Sequence, residues 1–275
     1  ALAAEHLTPR GVHVDLVATQ GLAHADLSGY DLVLVETPSN PGLRVADLAD
    51  VAARAHANGR RDGAGALVVV DNTLLTPLGQ RPLELGADVV VASDTKAVNG
   101  HTDALGGHVA SRDPQVMARV RGWRTLAGGI LGTHEAWLIH RGLETLEVRF
   151  ARMCASAQAV AELAAGHPAV RAVVYPGLAD HPDAEVVARQ MTAAGGLVGL
   201  RFADAAAAER FIAAAQYVVP QTSFGGTHTA AERRARWGDD VPDGFVRLSV
   251  GVEPTAELLA DLERAMTAAG GGPTA

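Results

Sequence analysis

The stretch Ala87-Asp88-Val89-Val90-Val91-Ala92-Ser93-Asp94-Thr95-Lys96 decides the fold. A short β-branched run that stops abruptly in polar residues reads as a buried strand followed by a turn. Two similar transitions precede it. Leu32–Val35 runs into Glu36-Thr37-Pro38-Ser39-Asn40-Pro41, and Ala66–Val70 runs into Asp71-Asn72-Thr73. Between these two, Val45–Ala57 sets Val45, Leu48, Val51, Ala52 and Ala55 at helical spacing, one apolar face for a sheet. Strand, helix, strand, strand in that order predicts an α/β sheet. Ligands of open α/β sheets sit beyond the carboxyl ends of the strands, so the three polar clusters are expected to converge on one crevice.

Outward from this core, Asn58–Gly65 reads as a surface loop rich in Gly, Arg and Asp. From Asp113 to Ala165 helical spacing continues with few turn signals, through Glu135–Arg149 and Ala151–Ala165, which predicts a long helical connector. Strand Arg171–Tyr175, helix Ala184–Ala193, strand Leu197–Phe202, helix Ala205–Ala214, strand Phe245–Val252 and a last helix from Thr255 follow. They predict a smaller α+β domain after a boundary near residue 150, giving domains 1–150 and 151–275. The tail Gly270–Ala275 is expected to fray.

At 275 residues the chain is long enough for one large or two modest domains, since a domain takes roughly 100 to 200 residues. With 48% hydrophobic and 20% charged residues it is neither disordered nor fibrous. A net charge of −8 gives no reason to bind nucleic acid or anionic lipid. The single cysteine, Cys154, can close no internal disulfide and has no second cysteine for a zinc site, which points to a reducing, cytoplasmic setting. No apolar run approaches the ~20 residues of a membrane helix. The chain opens at Ala1 with neither an initiator methionine nor a secretory leader, so further N-terminal residues are expected.

A lysine directly after a buried strand is unusual, because burying an ammonium is costly unless it is paired, neutralised or used covalently. By itself Lys96 could simply snorkel or pair with a carboxylate. Its neighbours point further. Pyridoxal phosphate needs a Schiff-base lysine, an acid for its pyridine nitrogen, and hydroxyl and backbone donors for its phosphate. Lys96, Asp71, Ser93 and Thr95 supply those types, although Asp71 could be a turn residue and Ser93 and Thr95 caps. Nucleotide and metal chemistry find little support, with no Gly-x-Gly-x-x-Gly after a strand, no P-loop, and His134 and His140 wrongly spaced for a metal.

Ser93-Asp94-Thr95-Lys96 followed by Gly100-His101-Thr102-Asp103 resembles the Ser-x-Thr-Lys-x-x-x-Gly-His-x-Asp signature of the Cys/Met-metabolism family of pyridoxal-phosphate enzymes, which includes cystathionine γ-lyase and γ-synthase. Other matches follow in family order: Glu36–Pro41, Val70–Thr73, Arg141-Gly142-Leu143, Tyr175–Leu178 with His181-Pro182, Gln190-Met191, Ser223-Phe224-Gly225-Gly226 and Arg247–Glu253. The resemblance runs from about residue 30 to residue 268. It implies a large domain of the aspartate aminotransferase type (fold type I) with a smaller C-terminal domain.

It also implies roles. Lys96 would carry pyridoxal 5'-phosphate and move protons on the substrate, Asp71 would hold the pyridine nitrogen, and Ser93 and Thr95 would bind phosphate. Asn40 would lie near the cofactor's phenolic oxygen and the substrate carboxylate, Ser223 would position the lysine or the carboxylate, and Arg247 would clamp the α-carboxylate with its two-donor fork. As a lone residue Arg247 would more often make a surface salt bridge. No metal is implied. The family carries a longer segment ahead of the counterpart of Glu36–Pro41. That segment supplies a phosphate-binding Gly-Met turn, a ring-stacking tyrosine and a Tyr-x-Arg pair donated across a dimer.

The implied activity is that of a lyase releasing thiol from cystathionine, with γ-synthase, methionine γ-lyase, β-lyase or a non-catalytic fragment as alternatives. The implied assembly is a dimer of dimers. Departures include Ala97 for tyrosine, Asp94 for a small residue, Pro254 for an acid, and Thr222 where several members carry glutamate. Ser223–Gly226, Trp123, Trp237 and the run Arg233-Arg234-Ala235-Arg236 resemble actinobacterial-style cystathionine γ-lyases, although such a run could also be a solvated helix face.

Overall fold

A computed structural model describes residues 3–58 and 65–271. Strand β1 (Leu32–Glu36), β2 (Leu67–Asp71), β3 (Val89–Ser93) and β4 (Gly107–Ser111) form one sheet in that order. β1, β2 and β3 are parallel, and β4 returns antiparallel. The first three are the strands expected from sequence, and each ends at its polar cluster. β4 lacks a β-branched run and was not anticipated. Its pairing to β3 makes Gly107–Ser111 a strand, a contact no local pattern announces. The expected loop Asn58–Gly65 lies outside the described residues except at its ends, as does the tail beyond Gly271.

Helix α1 spans Leu48–Asn58, three residues later than its apolar spacing predicted. The reason is tertiary. The preceding turn is tied to distant groups instead: Val45 N donates to Asp183 (2.8 Å), Ala46 N to Thr37 (3.0 Å) and Leu48 N to Gln190 (2.9 Å), while Asp47 accepts from Asp50 N (3.2 Å) at the helix start. From there α1 buries Val51, Ala52 and Ala55 against Val33, Val35, Val68 and Val70. The opposite face of β1 stays open, with Leu32 50% and Leu34 62% exposed.

The expected connector is three helices: after the short α2 (Thr76–Gly79) come α3 (Pro114–Ala127), α4 (Thr133–Leu143) and α5 (Leu146–Ala165). α3 stops at Gly128, whose φ of +75° is left-handed. The α4–α5 break at Glu144–Thr145 is stabilised by Arg149, which donates to the Thr145 hydroxyl (3.0 Å) and to Gly142 O (2.7 Å). Residue 150 lies one turn into α5, and α5 joins two cores. Leu146 and Phe150 pack with Ala97, Val98 and Ile139, while Ala157, Val160, Ala161 and Ala164 pack into a second core.

That second core lies under a five-stranded sheet of order β5 (Ala172–Val174), β6 (Leu197–Arg201), β9 (Phe245–Ser249), β8 (Ala230–Arg233), β7 (Val219–Pro220). With it go α6 (Ala184–Gln190), α7 (Ala205–Ala214) and α8 (Thr255–Ala269). α7 has the expected bounds, because Asp204 caps it by accepting from Ala207 N (2.8 Å). β7 and β8 are too short for a sequence signal. A buried amide network joins the two sheets' regions: Gln190 donates to Ala46 O (3.0 Å) and Gln80 Oε1 (2.8 Å), while Gln80 donates to Thr37 O (3.1 Å) and Asn72 Oδ1 (3.1 Å). Arg44 adds two 2.7 Å contacts to Asp183. The loop that carries Asn40 is thereby pinned from both sides.

Candidate active site

Because β1, β2 and β3 are parallel neighbours, their carboxyl ends deliver Glu36, Asp71 and Ser93 to one edge, with Glu36 in register with Asp71 and Asp71 with Val91. Asp71 opens the next turn by accepting from Thr73 N (2.9 Å), and Thr73 Oγ1 in turn accepts from Ser93 N (2.8 Å). The second and third clusters are therefore hydrogen-bonded to one another. The three strand ends lie side by side in sequence order, with no reversal of order among the described strands.

Lys96 sits on a turn closed by Asn99 N donating to Asp94 O (2.8 Å) and Gly100 N donating to Lys96 O (2.8 Å). Arg149 reaches in from α5 to Ala97 O (2.8 Å) and Val98 O (3.2 Å). Gly100 has φ +76°, and a Cβ there would lie 2.0 Å from Arg149 Nη1, which explains the glycine physically. The Ser223–Gly226 loop closes over the same turn. A Cβ on Gly225 would meet Ala97 N at 2.7 Å. Lys96 Nζ thus donates to Ser223 Oγ at 3.0 Å and lies 4.8 Å from the centre of the Phe224 ring. Burial, with the Arg247 charge as a second cause, holds its pKa below the usual lysine value and favours the neutral amine.

Arg247 projects from the middle of β9 and is 2% exposed. Its Nη1 donates to Asn40 Oδ1 (2.7 Å), its Nη2 to Thr222 O, and its guanidinium lies 5.2 Å from the Phe224 ring. Its Nε is buried with no hydrogen-bond partner among the described residues. Burial first, then Arg234, pushes its pKa down to about 10. Lys96, Ser223, Arg247 and Asn40 are therefore linked directly or through the Phe224 ring. Thr95 turns elsewhere: its hydroxyl accepts from Gly106 N (3.1 Å) and donates to Gly106 O (3.3 Å) at the entry to β4.

Three groups escaped the sequence reading. Phe224 faces both cations of the site, and only its place in Ser-Phe-Gly-Gly hinted at it. Glu36 stood in a quoted motif without a role; desolvation and the like charge of Asp71 raise its pKa to about 7. Asp94 is 6% exposed and lies 2.6 Å from His108 Nδ1 on β4, clamping the start of the Lys96 turn to its neighbour strand. The arginine run is largely ion-paired: Arg233 with Glu209 (2.8 Å), Arg234 with Asp239 (2.5 Å), and Arg236 with the buried Glu232 (2.6 Å).

The Asp94 hydrogen bond holds the His108 pKa above the ordinary imidazole value. A raised folded-state pKa contributes stability that is complete below the unfolded value of ~6.5 and disappears as pH climbs through the folded value. Urea midpoints taken from about pH 5 to 9 should therefore fall more steeply above ~6.5 in the wild type than in His108→Gln. Parallel curves would remove the pair from the stability balance.

The chain matches the Cys/Met metabolism PLP-dependent enzyme family over residues 4–267. It is 49% identical over 258 residues to a Streptomyces coelicolor protein named "Putative cystathionine gamma-lyase", covering 93% of this chain and 64% of that one. To L-methionine gamma-lyase of Pseudomonas putida it is 39% identical over 273 residues, covering 93% and 66%. The chain thus spans just under two thirds of each of these relatives. Among solved structures, apo CalE6, a methionine gamma lyase from Micromonospora echinospora, aligns at TM-score 0.87 and 40% identity over 94% of this chain and 72% of that one. Cystathionine gamma-lyase from Lactobacillus plantarum complexed with L-serine aligns at 0.88 and 29% over 98% and 73%. These neighbours carry the α/β, fold type I architecture that the motifs implied. Sequence and structure agree that the chain belongs to the Cys/Met metabolism PLP-dependent enzyme family.

Proposed function

We propose that the protein is a pyridoxal-phosphate-dependent carbon–sulfur lyase acting on a sulfur amino acid, with cystathionine γ-lyase as the leading activity. The observation that carries this reading is the 3.0 Å contact of a half-buried lysine amine, Lys96, with Ser223, beside a guanidinium whose Nε has no hydrogen-bond partner among the described residues. The donor set fits the cofactor. Lys96 is the amine for attachment, Asp71 at the end of β2 is the acid for the ring nitrogen, and Ser93 and Thr95 are the hydroxyls for phosphate, Thr95 after releasing Gly106. When bound, pyridoxal phosphate supplies an electron sink for carbanion chemistry at the amino acid.

The chain's own groups then bind and move protons. Arg247 and Asn40 hold the α-carboxylate, and Arg247 offers the planar fork suited to it. Lys96, its pKa lowered by burial, would take and return protons, and Ser223 would orient it. Thr222 puts no charge toward the distal part of the substrate, so γ-synthase, methionine γ-lyase and β-lyase remain variants of this chemistry. Self-association belongs to the same reading: α3, α4 and their connection leave Trp123, Leu126, Ile130 and Trp137 exposed, apolar surface that a second copy would cover.

Adding pyridoxal phosphate to the purified protein should produce near-visible absorbance from the lysine-bound cofactor. Assays for 2-oxobutanoate, pyruvate and ammonia from cystathionine, homocysteine and methionine then rank the variants. A protein that gains no such absorbance is a non-catalytic family member.

A further inference from the structure

We propose that Glu36 is a charge-setting residue for the cofactor site, a second carboxyl that takes up and releases a proton beside Asp71 and so tunes how firmly Asp71 keeps the cofactor's ring nitrogen protonated. The inference rests on the reading of Lys96 and Asp71 given above and adds a residue to which that reading assigns nothing.

The geometry begins with the strands. Glu36 and Asp71 are register partners at the ends of parallel β1 and β2, whose backbones lie about 4.8 Å apart. Side chains alternate along a strand, so Glu36 shares a face with Leu32 and Leu34, and Asp71 shares the same face with Leu67 and Val69. The two carboxyls therefore stand side by side. The groups acting on Glu36 are Asp71 from β2, Arg247 from β9 and the backbone N–H of Asn40 from the following loop, and Asp15, Asp26 and Tyr30 of the N-terminal segment line one cavity with it. No cation among the described residues forms an ion pair with it; Arg247 acts only from a distance and is already engaged with Asn40 and Thr222.

Magnitudes decide the outcome. Desolvation and the Asp71 charge raise the Glu36 pKa, the Asn40 N–H and Arg247 lower it, and the balance leaves it at about 7. Glu36 is solvent-exposed at the end of β1, so protons reach its carboxyl directly from water. Like charges this close do not both ionise freely. An isolated strand-end glutamate open to water would titrate near ~4.3 and would be indifferent to Asp71.

The consequence for the site follows from charge. As pH rises through neutrality a ring nitrogen tends to lose its proton. Glu36 loses its own proton in the same range and adds a negative charge next to Asp71. That added charge opposes deprotonation of the ring, so the pair acts as a local buffer that keeps the electron sink in its working form on the alkaline side.

The test has two arms. In the cofactor-free protein, carboxyl 13C resonances followed by NMR should place the Glu36 midpoint near the value above and move it downward in Asp71→Asn. A midpoint in the ordinary glutamate range, or one that ignores Asp71→Asn, overturns the proposal without touching the lyase reading. In the second arm, 15N-labelled pyridoxal phosphate is bound to wild type and to the near-isosteric Glu36→Gln. The ring nitrogen should lose its proton about one pH unit lower in the variant. A structural role for Glu36 would not move that midpoint, so coincident curves refute the idea. If the label binds away from Lys96, both the lyase reading and this inference fall. If it binds at Lys96 while Glu36 titrates ordinarily, this inference falls alone.

Discussion

Lys96→Ala is expected to leave a folded protein that gains no near-visible absorbance from pyridoxal phosphate and whose lyase rate is reduced by at least ~10³-fold. The magnitude reflects a residue asked both to anchor the cofactor and to transfer protons, a role in which proton transfer alone contributes about 10²–10⁴. Folding should survive, because the turn is held by backbone bonds to Asn99 and Gly100 and by Arg149, none of which uses the lysine amine. What alanine removes is the 3.0 Å contact to Ser223 and the cation over Phe224. Absorbance spectra and single-turnover rates report the result, and an unchanged band would show that the cofactor is attached elsewhere.

Arg247→Lys carries the second-largest effect. Lysine keeps the charge and loses the fork, so it cannot hold Asn40 and Thr222 while also presenting two donors to a carboxylate. A charge-assisted hydrogen bond to a buried partner is worth about 1.5–3 kcal/mol, and kcat/KM should therefore fall by roughly 10- to 150-fold, mostly through KM. Steady-state kinetics on whichever sulfur amino acid proves best would show it. A KM equal to that of the wild type would mean that the α-carboxylate is bound by other groups, and the role assigned to Arg247 would be withdrawn.

Much of the site was readable because strand-end polar clusters are local. β-Branched runs ending at Glu36, Asp71 and Ser93 announced both the strands and the residues at their tips, and helix α7 has the bounds its residues suggest. What stayed hidden depended on partners distant in the chain. The turn ahead of α1 is held by Asp183 and Gln190, more than a hundred residues on, which accept from Val45 N and Leu48 N. The connector breaks at Thr145 because Arg149 must reach both that turn and the carbonyls after Lys96. β4, β7 and β8 are strands by pairing alone. Asp94 gains its role only from His108, which reaches it across the sheet.

From its residues alone the chain specified which chemical groups it owns and the segment on which each stands: an amine after one strand, an acid after another, a guanidinium inside a third. Tertiary structure decided the rest. It brings Lys96 to Ser223 across 127 positions and Arg247 to Asn40 across 207, sets Glu36 beside Asp71, and leaves Arg247 Nε without a hydrogen-bond partner among the described residues. The division has a physical cause. Strand and turn preferences act over a few neighbouring residues, whereas distances between remote side chains are settled only when the Lys96 turn and the second sheet both pack against helix α5 and a buried network of amides fixes the loops between them.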